Sequence, residues 1–227
     1  SHADDSLRLH TVIEERLRIN SGGQVLIGTD IAPAYTNRRL TVATTSGTTA
    51  IEVRSATNGD GRIYFTDNTT SGNVGAYAGK IMYDHTDNYM AFYTGGDDAT
   101  PGERLHINSS GNLGINKTPE TDWSGSYRAI EIGNSSVSAY QGNTYPSIEL
   151  NMNCRGTQGS YSAGWKYIRS MVATQIHMPY DGNVLFRRAA SGSADGAITW
   201  SESMRITSAG HVLRPTMAAA AVTLSAD

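Results

Sequence analysis

Glu103-Arg104-Leu105-His106-Ile107-Asn108-Ser109-Ser110-Gly111-Asn112-Leu113-Gly114-Ile115 is the middle one of three copies of a phrase. The first copy reads Glu15-Arg16-Leu17-Arg18-Ile19-Asn20-Ser21-Gly22-Gly23-Gln24-Val25-Leu26-Ile27. The third, looser, reads Glu202-Ser203-Met204-Arg205-Ile206-Thr207-Ser208-Ala209-Gly210-His211-Val212-Leu213. Internal repetition is the feature to read before any other. In each copy aliphatic residues alternate with polar ones: Leu17 and Ile19, Leu105 and Ile107, Met204 and Ile206. That is the period of a strand with one buried face. A turn follows, with Gly23, Gly111 and Gly210 always at its fourth position, where positive φ is expected. The chain then resumes with Val25 and Ile27, Leu113 and Ile115, or Val212. Arg214 replaces the last aliphatic of the third copy, so that hairpin is expected to end differently.

A hairpin of this kind cannot stand alone. Each apolar side chain contributes only about 1.5–3 kcal/mol on full burial, against an ordering cost of about 1–2 kcal/mol per residue. A repeated hairpin with one apolar face therefore needs a partner surface. The expected seam consists of Leu17, Ile19, Val25, Ile27, Leu105, Ile107, Leu113, Ile115, Met204, Ile206 and Val212. The opening glutamates, Glu15, Glu103 and Glu202, stand two positions before the first aliphatic. A regular strand would put them on the same face, at the rim of the seam, facing arginine from a neighbouring chain.

This phrase resembles the recurrent junction motif of bacteriophage tail-fibre proteins, especially those of marine phages. The order Gly79-Lys80-Ile81-Met82-Tyr83-Asp84-His85, Asn88-Tyr89-Met90-Ala91-Phe92, then Glu103-Arg104-Leu105 is similar to the body of such fibre repeats. The resemblance covers most of residues 15–116 and, more faintly, 117–214. It implies an elongated homotrimer in which hairpins from three chains close into prisms between globular β-modules. It further implies a place on the virion tail, other virion tail proteins as neighbours, and a host cell-surface glycan or protein as target.

Composition agrees with a turn-rich β protein. Of 227 residues 24 are glycine, 38% are hydrophobic and 17% are charged, the last below the usual ~25%. A net charge of −3 offers no basic field for nucleic acid. No stretch approaches the ~20 apolar residues of a membrane span. Cys154 stands alone, which precludes a disulfide within the chain and suggests a small buried side chain. The opening residues carry no signal-peptide pattern and run almost at once into the first hairpin, as expected of a segment of a longer protein.

Strand-like runs lie at Leu40–Val42, Ile51–Val53, Ile63–Phe65, 79–84 and Tyr89–Tyr93, punctuated by Asn58-Gly59-Asp60-Gly61, Ser71-Gly72-Asn73 and Gly95-Gly96-Asp97-Asp98. A second set answers the first: Pro119 answers Pro33, Ile130 with Ile132 answers Leu40 with Val42, and Ile148–Leu150 answers Ile51–Val53. Ile176 and Asn183 answer Ile81 and Asn88. The expected fold is all-β, with tandem antiparallel sandwich-like modules joined by short hairpins. Residues 1–28 form an N-terminal strand and first junction, 29–102 a β-module, 103–116 the second junction, 117–201 a second β-module, 202–214 the third junction, and 215–227 a tail. Ala218–Ala221 is too short to read as a helix.

No catalytic or metal motif is assembled in the sequence. Asp84-His85-Thr86-Asp87 lacks a partner motif and reads as a strand end and turn. Asn58-Gly59-Asp60-Gly61 lacks the spacing of a calcium loop. No phosphate loop or nucleophile elbow occurs. The glutamates Glu52 and Glu149 hold matching places in two repeats and do not read as a glycosidase pair. His106, where the first copy has Arg18, reads as a tolerated outward position. No enzyme activity, cofactor or metal is expected. Asn68-Thr69-Thr70 and Asn116-Lys117-Thr118 match a glycosylation pattern without consequence in a bacterial virus. Aromatic residues gather in the second module, and Trp123, Tyr127, Tyr161 and Trp165 are candidate glycan-stacking residues, though packing would use the same side chains. The expected function is a trimeric host-attachment rod. The alternatives are a carbohydrate-binding module or polysaccharide-depolymerase fragment, and a virion decoration protein.

Overall fold

The three hairpin turns are built alike. The carbonyls of Asn20, Asn108 and Thr207 accept the N–H of Gly23, Gly111 and Gly210 at 2.8–2.9 Å. The side-chain oxygens of the same three residues accept the N–H that follows each glycine, at 3.0–3.1 Å. The glycines have φ of 70°, 79° and 83°, where a Cβ would cost roughly 1–2 kcal/mol. This is the three-residue loop with a glycine bulge that suits the twist of a hairpin.

The computed structural model describes residues 6–12, 14–28, 40–44, 46–66, 78–95, 102–142, 144–157 and 164–214. Pro33, Asn68-Thr69-Thr70, Ser71-Gly72-Asn73, Gly96-Asp97-Asp98, Tyr161 and Ala218–Ala221 lie outside them. The described residues are all-β, with no helix among them. They belong to two compact units, Ser1–Arg54 and Ser55–Asp227.

In the first unit β1 (Leu7–Thr11), β2 (Glu14–Ile19), β3 (Val25–Ile27) and β4 (Leu40–Val42) form one sheet in chain order. The pairs β1–β2 and β2–β3 are antiparallel, and β3–β4 is parallel. Ile51-Glu52-Val53, expected as a strand, is irregular and exposed. Glu52 spends its charge on Arg54 of its own segment, at 2.7 Å.

In the second unit β5 (Asp60–Phe65), β6 (Gly79–Asp84), β7 (Tyr89–Thr94), β8 (Gly102–Ile107) and β9 (Leu113–Ile115) run as an antiparallel meander. The chain then crosses over to β10 (Tyr127–Ile132), parallel to β9. It continues antiparallel through β11 (Ser135–Tyr140) and β12 (Ser147–Met152), leaves as the hairpin β13 (Cys154–Gly156) and β14 (Trp165–Tyr167), and returns as β15 (Ala173–Pro179) beside β12. The strands β16 (Val184–Ala189), β17 (Ser201–Ile206) and β18 (Val212–Leu213) complete a 12-stranded sheet. β18, ahead of Arg214, is the two-residue end of the third hairpin.

The small sheet β13–β14 lies on one side of the large one. Its Cys154, Trp165 and Tyr167 pack with Trp123 and Tyr127 over Ala129, Ala173 and Ala189. Alanines at those three strand positions leave room for the rings. Trp165 meets Trp123, Tyr127 and Trp200 edge-on at centroid distances of 5.6–6.3 Å, the geometry that aromatic quadrupoles favour. Cys154 is fully buried, and burial pushes its thiol pKa up, so it behaves as a small apolar side chain. Arg155 fastens the hairpin's edge. It is held by Asp122 and Asp195, and donates to the Tyr167 carbonyl at 3.2 Å.

The same side of the sheet buries a polar network. Fully buried Glu131 accepts hydrogen bonds from Trp123 Nε1 (2.8 Å), the Glu120 N–H (3.0 Å) and Lys117 Nζ (2.5 Å). All three donors come from the crossover between β9 and β10. That crossover comes so close to β9 that a Cβ on Gly114 would collide with the Lys117 carbonyl oxygen. Across β11, β12, β15 and β16, Asn151 donates to Ser136 and Ser138, Gln175 donates to Asn151, and Arg187 donates to Gln175. Glu149 accepts from Ser138 (2.9 Å) and Ser147 (2.5 Å).

His177 sits 3.8 Å from Glu149 in this network and is fully buried. Burial, and then the Arg187 charge, lower its pKa to about 4, so at neutral pH the imidazole is neutral. The free histidine titrates near 6.5, so the unfolded chain binds the proton more readily. The contribution of His177 to stability is complete above pH 6.5 and falls away between pH 6.5 and 4, by on the order of 3 kcal/mol. Burial raises the Glu149 pKa, which has the opposite sign and relieves a cost as pH falls through that raised value. The urea midpoint is expected to drop between pH 7 and pH 4.5, and His177→Gln is expected to flatten that drop. An equally steep drop in His177→Gln would assign it to other groups.

Candidate association face

The opposite side of the same sheet carries rows of apolar side chains, and no other strand among the described residues of this unit packs over them. The register sets Met90 beside Ile107, Ile107 beside Leu113, Leu113 beside Ile130, and Ile130 beside Val137. The row continues through Leu150, Ile176, Phe186 and Met204, each paired with the one before. A parallel row runs Ile63, Ile81, Phe92, Leu105, Ile115, Ile132. In the middle of the sheet Ile130, Val137 and Leu150 are 43–45% exposed. Side chains at such positions are open to water only when nothing lies over them. In the first unit, Leu9, Leu17, Ile27 and Val42 form a similar row, as do Leu7, Ile19, Val25 and Leu40.

The expected seam aliphatics all lie on this side of their sheets. Ile19, Ile27, Ile115 and Val212 are exposed, and Leu17, Val25, Leu105, Ile107, Leu113, Met204 and Ile206 are half-buried. The glutamates do not join them, and the reason is a β-bulge at the same place in each copy. Leu9 pairs with Leu17 but His10 with Glu15, so Arg16 is the extra residue. Phe92 pairs with Leu105 but Tyr93 with Glu103, and Phe186 with Met204 but Arg187 with Glu202. One extra residue reverses the alternation of sides. Glu15, Glu103 and Glu202 therefore point away from the apolar face.

Each glutamate meets the residue three positions on, within its own chain. Arg18 Nη2 donates to Glu15 at 2.8 Å, and Arg205 Nη2 to Glu202 at 2.6 Å. His106 Nδ1 lies 3.0 Å from Glu103, which also accepts from the Tyr93 hydroxyl at 3.1 Å. The Arg18 guanidinium holds the Glu15 carboxyl below its usual range. His106 is not an outward position: it is buried, with its ring stacked on Tyr89 at 4.5 Å. The signal for this was in the sequence. A regular strand puts residues i and i+3 on opposite sides, so an acid and a base recurring at that spacing require a bulge between them.

In the first two copies the bulge is also closed in the same way. The carbonyls of Arg16 and Arg104 accept the N–H of Gly28 and Asn116 at 3.1 and 2.9 Å. Both of those residues are left-handed, with φ of 73° and 56°. The bulge and this closure turn the chain from the hairpin into the crossover.

The aromatic candidates for sugar stacking do not form a platform. Trp123, Tyr127 and Trp165 are 7%, 0% and 2% exposed and lie in the core formed where the β13–β14 layer packs on the sheet. Tyr161 lies outside the described residues. Asp84 Oδ1 accepts the N–H groups of Thr86 and Asp87 at 2.8 and 2.9 Å, which makes that stretch a side-chain-closed turn. Among the described residues no three histidine, cysteine, aspartate or glutamate side chains gather as a metal site. No helix among them is long and apolar enough to cross a membrane.

No protein-family model matches the chain, and no curated protein matches it either.

Proposed function

We propose that the chain is a structural, non-enzymatic segment of a phage tail fibre that self-associates through its apolar sheet faces as a homotrimer. The observation that carries this reading is the unbroken apolar row from Met90 to Met204. Soluble monomers rarely expose contiguous apolar patches beyond a few hundred Å². The nine side chains of that row are already partly covered by their own chain, so covering the rest would contribute at most about half of 1.5–3 kcal/mol each, roughly 7–14 kcal/mol before costs, against an association cost of about 4–15 kcal/mol. A second row is needed for a secure assembly, and the second row is there.

The occupant is another copy of the chain. The hairpins opening at residues 15, 103 and 202 each present the same apolar chemistry, and an identical chain offers the matching surface to each. The resemblance of the junction phrase to phage tail fibres supplies the trimer, the tail location, the other tail proteins as neighbours and the host surface as target. Three chains carrying the same recognition surface would gain avidity wherever the host ligand spacing allows simultaneous contact. In this reading the polar, bulged side faces outward and the β13–β14 layer is a lateral elaboration of the second module.

Antibody against residues 164–214 should label virion tails. Labelling over the capsid surface would instead favour a decoration protein, and release of oligosaccharide from host polysaccharide would favour a depolymerase.

A further inference from the structure

The histidine of the second copy replaces an arginine, and a cleft opens beside it. The cleft measures about 520 Å³ and lies between the β7–β8 strands, the β8–β9 turn and the start of the crossover. That volume is in the range of small-molecule sites, roughly 300–1,000 Å³. Its floor is the stacked pair Tyr89 and His106, and its walls carry Glu103, Asn108, Thr121 and, at the rim, Asp87.

We propose that this cleft binds a pyranose, neutral or amino-bearing, and rejects acidic sugars. Three observations point this way. The aromatic floor is already fixed: Tyr89 lies on His106 at an interplanar angle of 18°, so a sugar meets a ring that loses little freedom on binding. The polar groups are fixed as well. Glu103 is oriented by His106 and by the Tyr93 hydroxyl, one on each oxygen, which leaves lone pairs for sugar hydroxyls. The Asn108 carboxamide oxygen is used by the Ser110 and Asn112 N–H groups of its own turn, which leaves the amide as a donor. Finally, the described lining holds two carboxylates, Asp87 and Glu103, and no lysine or arginine. That balance repels a carboxylated sugar and accommodates an ammonium group.

The first and third copies lack this arrangement. Arg18 and Arg205 place guanidinium groups against Glu15 and Glu202, occupying the carboxylate that Glu103 keeps partly open. By the same register the residue answering Tyr89 in the third copy is Asn183, which offers no ring. The cleft lies on the polar side of the sheet, so the inference stands or falls separately from the association of the apolar faces.

The test is saturation-transfer NMR on the full chain. The probes are methyl glucoside, methyl galactoside, methyl mannoside, N-acetylglucosamine and glucosamine, against glucuronic acid and N-acetylneuraminic acid. At least one neutral or amino sugar is expected to show transfer at millimolar concentration, and the acidic pair none. Tyr89→Ala and Glu103→Gln are each expected to weaken binding at least tenfold. Asp87→Asn, a change on an exposed turn that leaves the core alone, is expected to weaken glucosamine and admit glucuronic acid. No transfer from any sugar, transfer unchanged in all three variants, or equal binding of acidic sugars would overturn the proposal. Solution mass measured on the same samples keeps a failure of association distinct from a failure of sugar binding.

Discussion

Ile107→Asp is expected to reduce the assembled species to single chains. Ile107 sits between Met90 and Leu113 in the apolar row. Its own chain leaves it half-buried, so an aspartate there can remain hydrated while the chain is alone. Association would strip that hydration and leave the carboxylate among Met90, Leu113 and the facing apolar side chains, a cost of several kcal/mol. Loss of the contact made by the still-open half of the isoleucine adds about 1 kcal/mol. A total of at least about 4 kcal/mol weakens association a thousandfold. Ile107→Val keeps the row continuous and is expected to leave the mass unchanged. Light scattering on both variants decides the matter, and an aspartate variant that keeps the wild-type mass would remove this face from the interface.

Glu131→Ala is expected to be the most destabilising single change within one chain. The carboxylate is fully buried and takes hydrogen bonds from Lys117, Trp123 and the Glu120 main chain. Its removal leaves an indole N–H and a backbone N–H without an acceptor, and a largely buried ammonium with only the Glu120 carboxylate at 3.1 Å. Breaking a buried charged pair by deleting one partner costs about 3–5 kcal/mol, a large share of a domain's net stability. Glu131→Gln keeps the shape and one acceptor oxygen but not the charge, and is expected to cost less, about 1.5–3 kcal/mol. Denaturant midpoints at one fixed chain concentration compare the three proteins, since self-association would otherwise contribute. Equal midpoints for Glu131→Ala and wild type would mean that Lys117 and Trp123 find other partners.

The hairpins were legible in the sequence because their signals are local. Alternating Leu105 and Ile107, the Asn-Ser-Ser-Gly turn and Leu113 with Ile115 each specify their conformation within a few residues. The all-β class followed from the same local patterns. The sides of the glutamates were not legible from alternation, because Glu15 has the parity of Leu17 and Ile19 while the strand slips by one at Arg16. Only the spacing of three between each acid and its base carried that information. The aromatic residues Trp123, Tyr127 and Trp165 of the second module serve packing. Their number reflected a covering layer over Ala129, Ala173 and Ala189, and a layer of that kind needs large side chains opposite small ones. The cleft at Tyr89 and His106 depends on β7, β8 and the crossover meeting, which no single stretch records.

Ile51-Glu52-Val53 shows a further limit. Its alternation suits a strand, but a strand also needs a neighbour, and no strand pairs with it among the described residues. Composition can propose a partner's existence but not supply its position.

The central claim is that copies of this chain cover one another's apolar faces, and absolute mass in solution tests it most directly. Light scattering coupled to size exclusion, at several concentrations, is predicted to give three times 24.3 kDa with an elongated elution profile. A compact species of 24.3 kDa at every concentration would contradict the account, because the apolar rows would then stand uncovered in water.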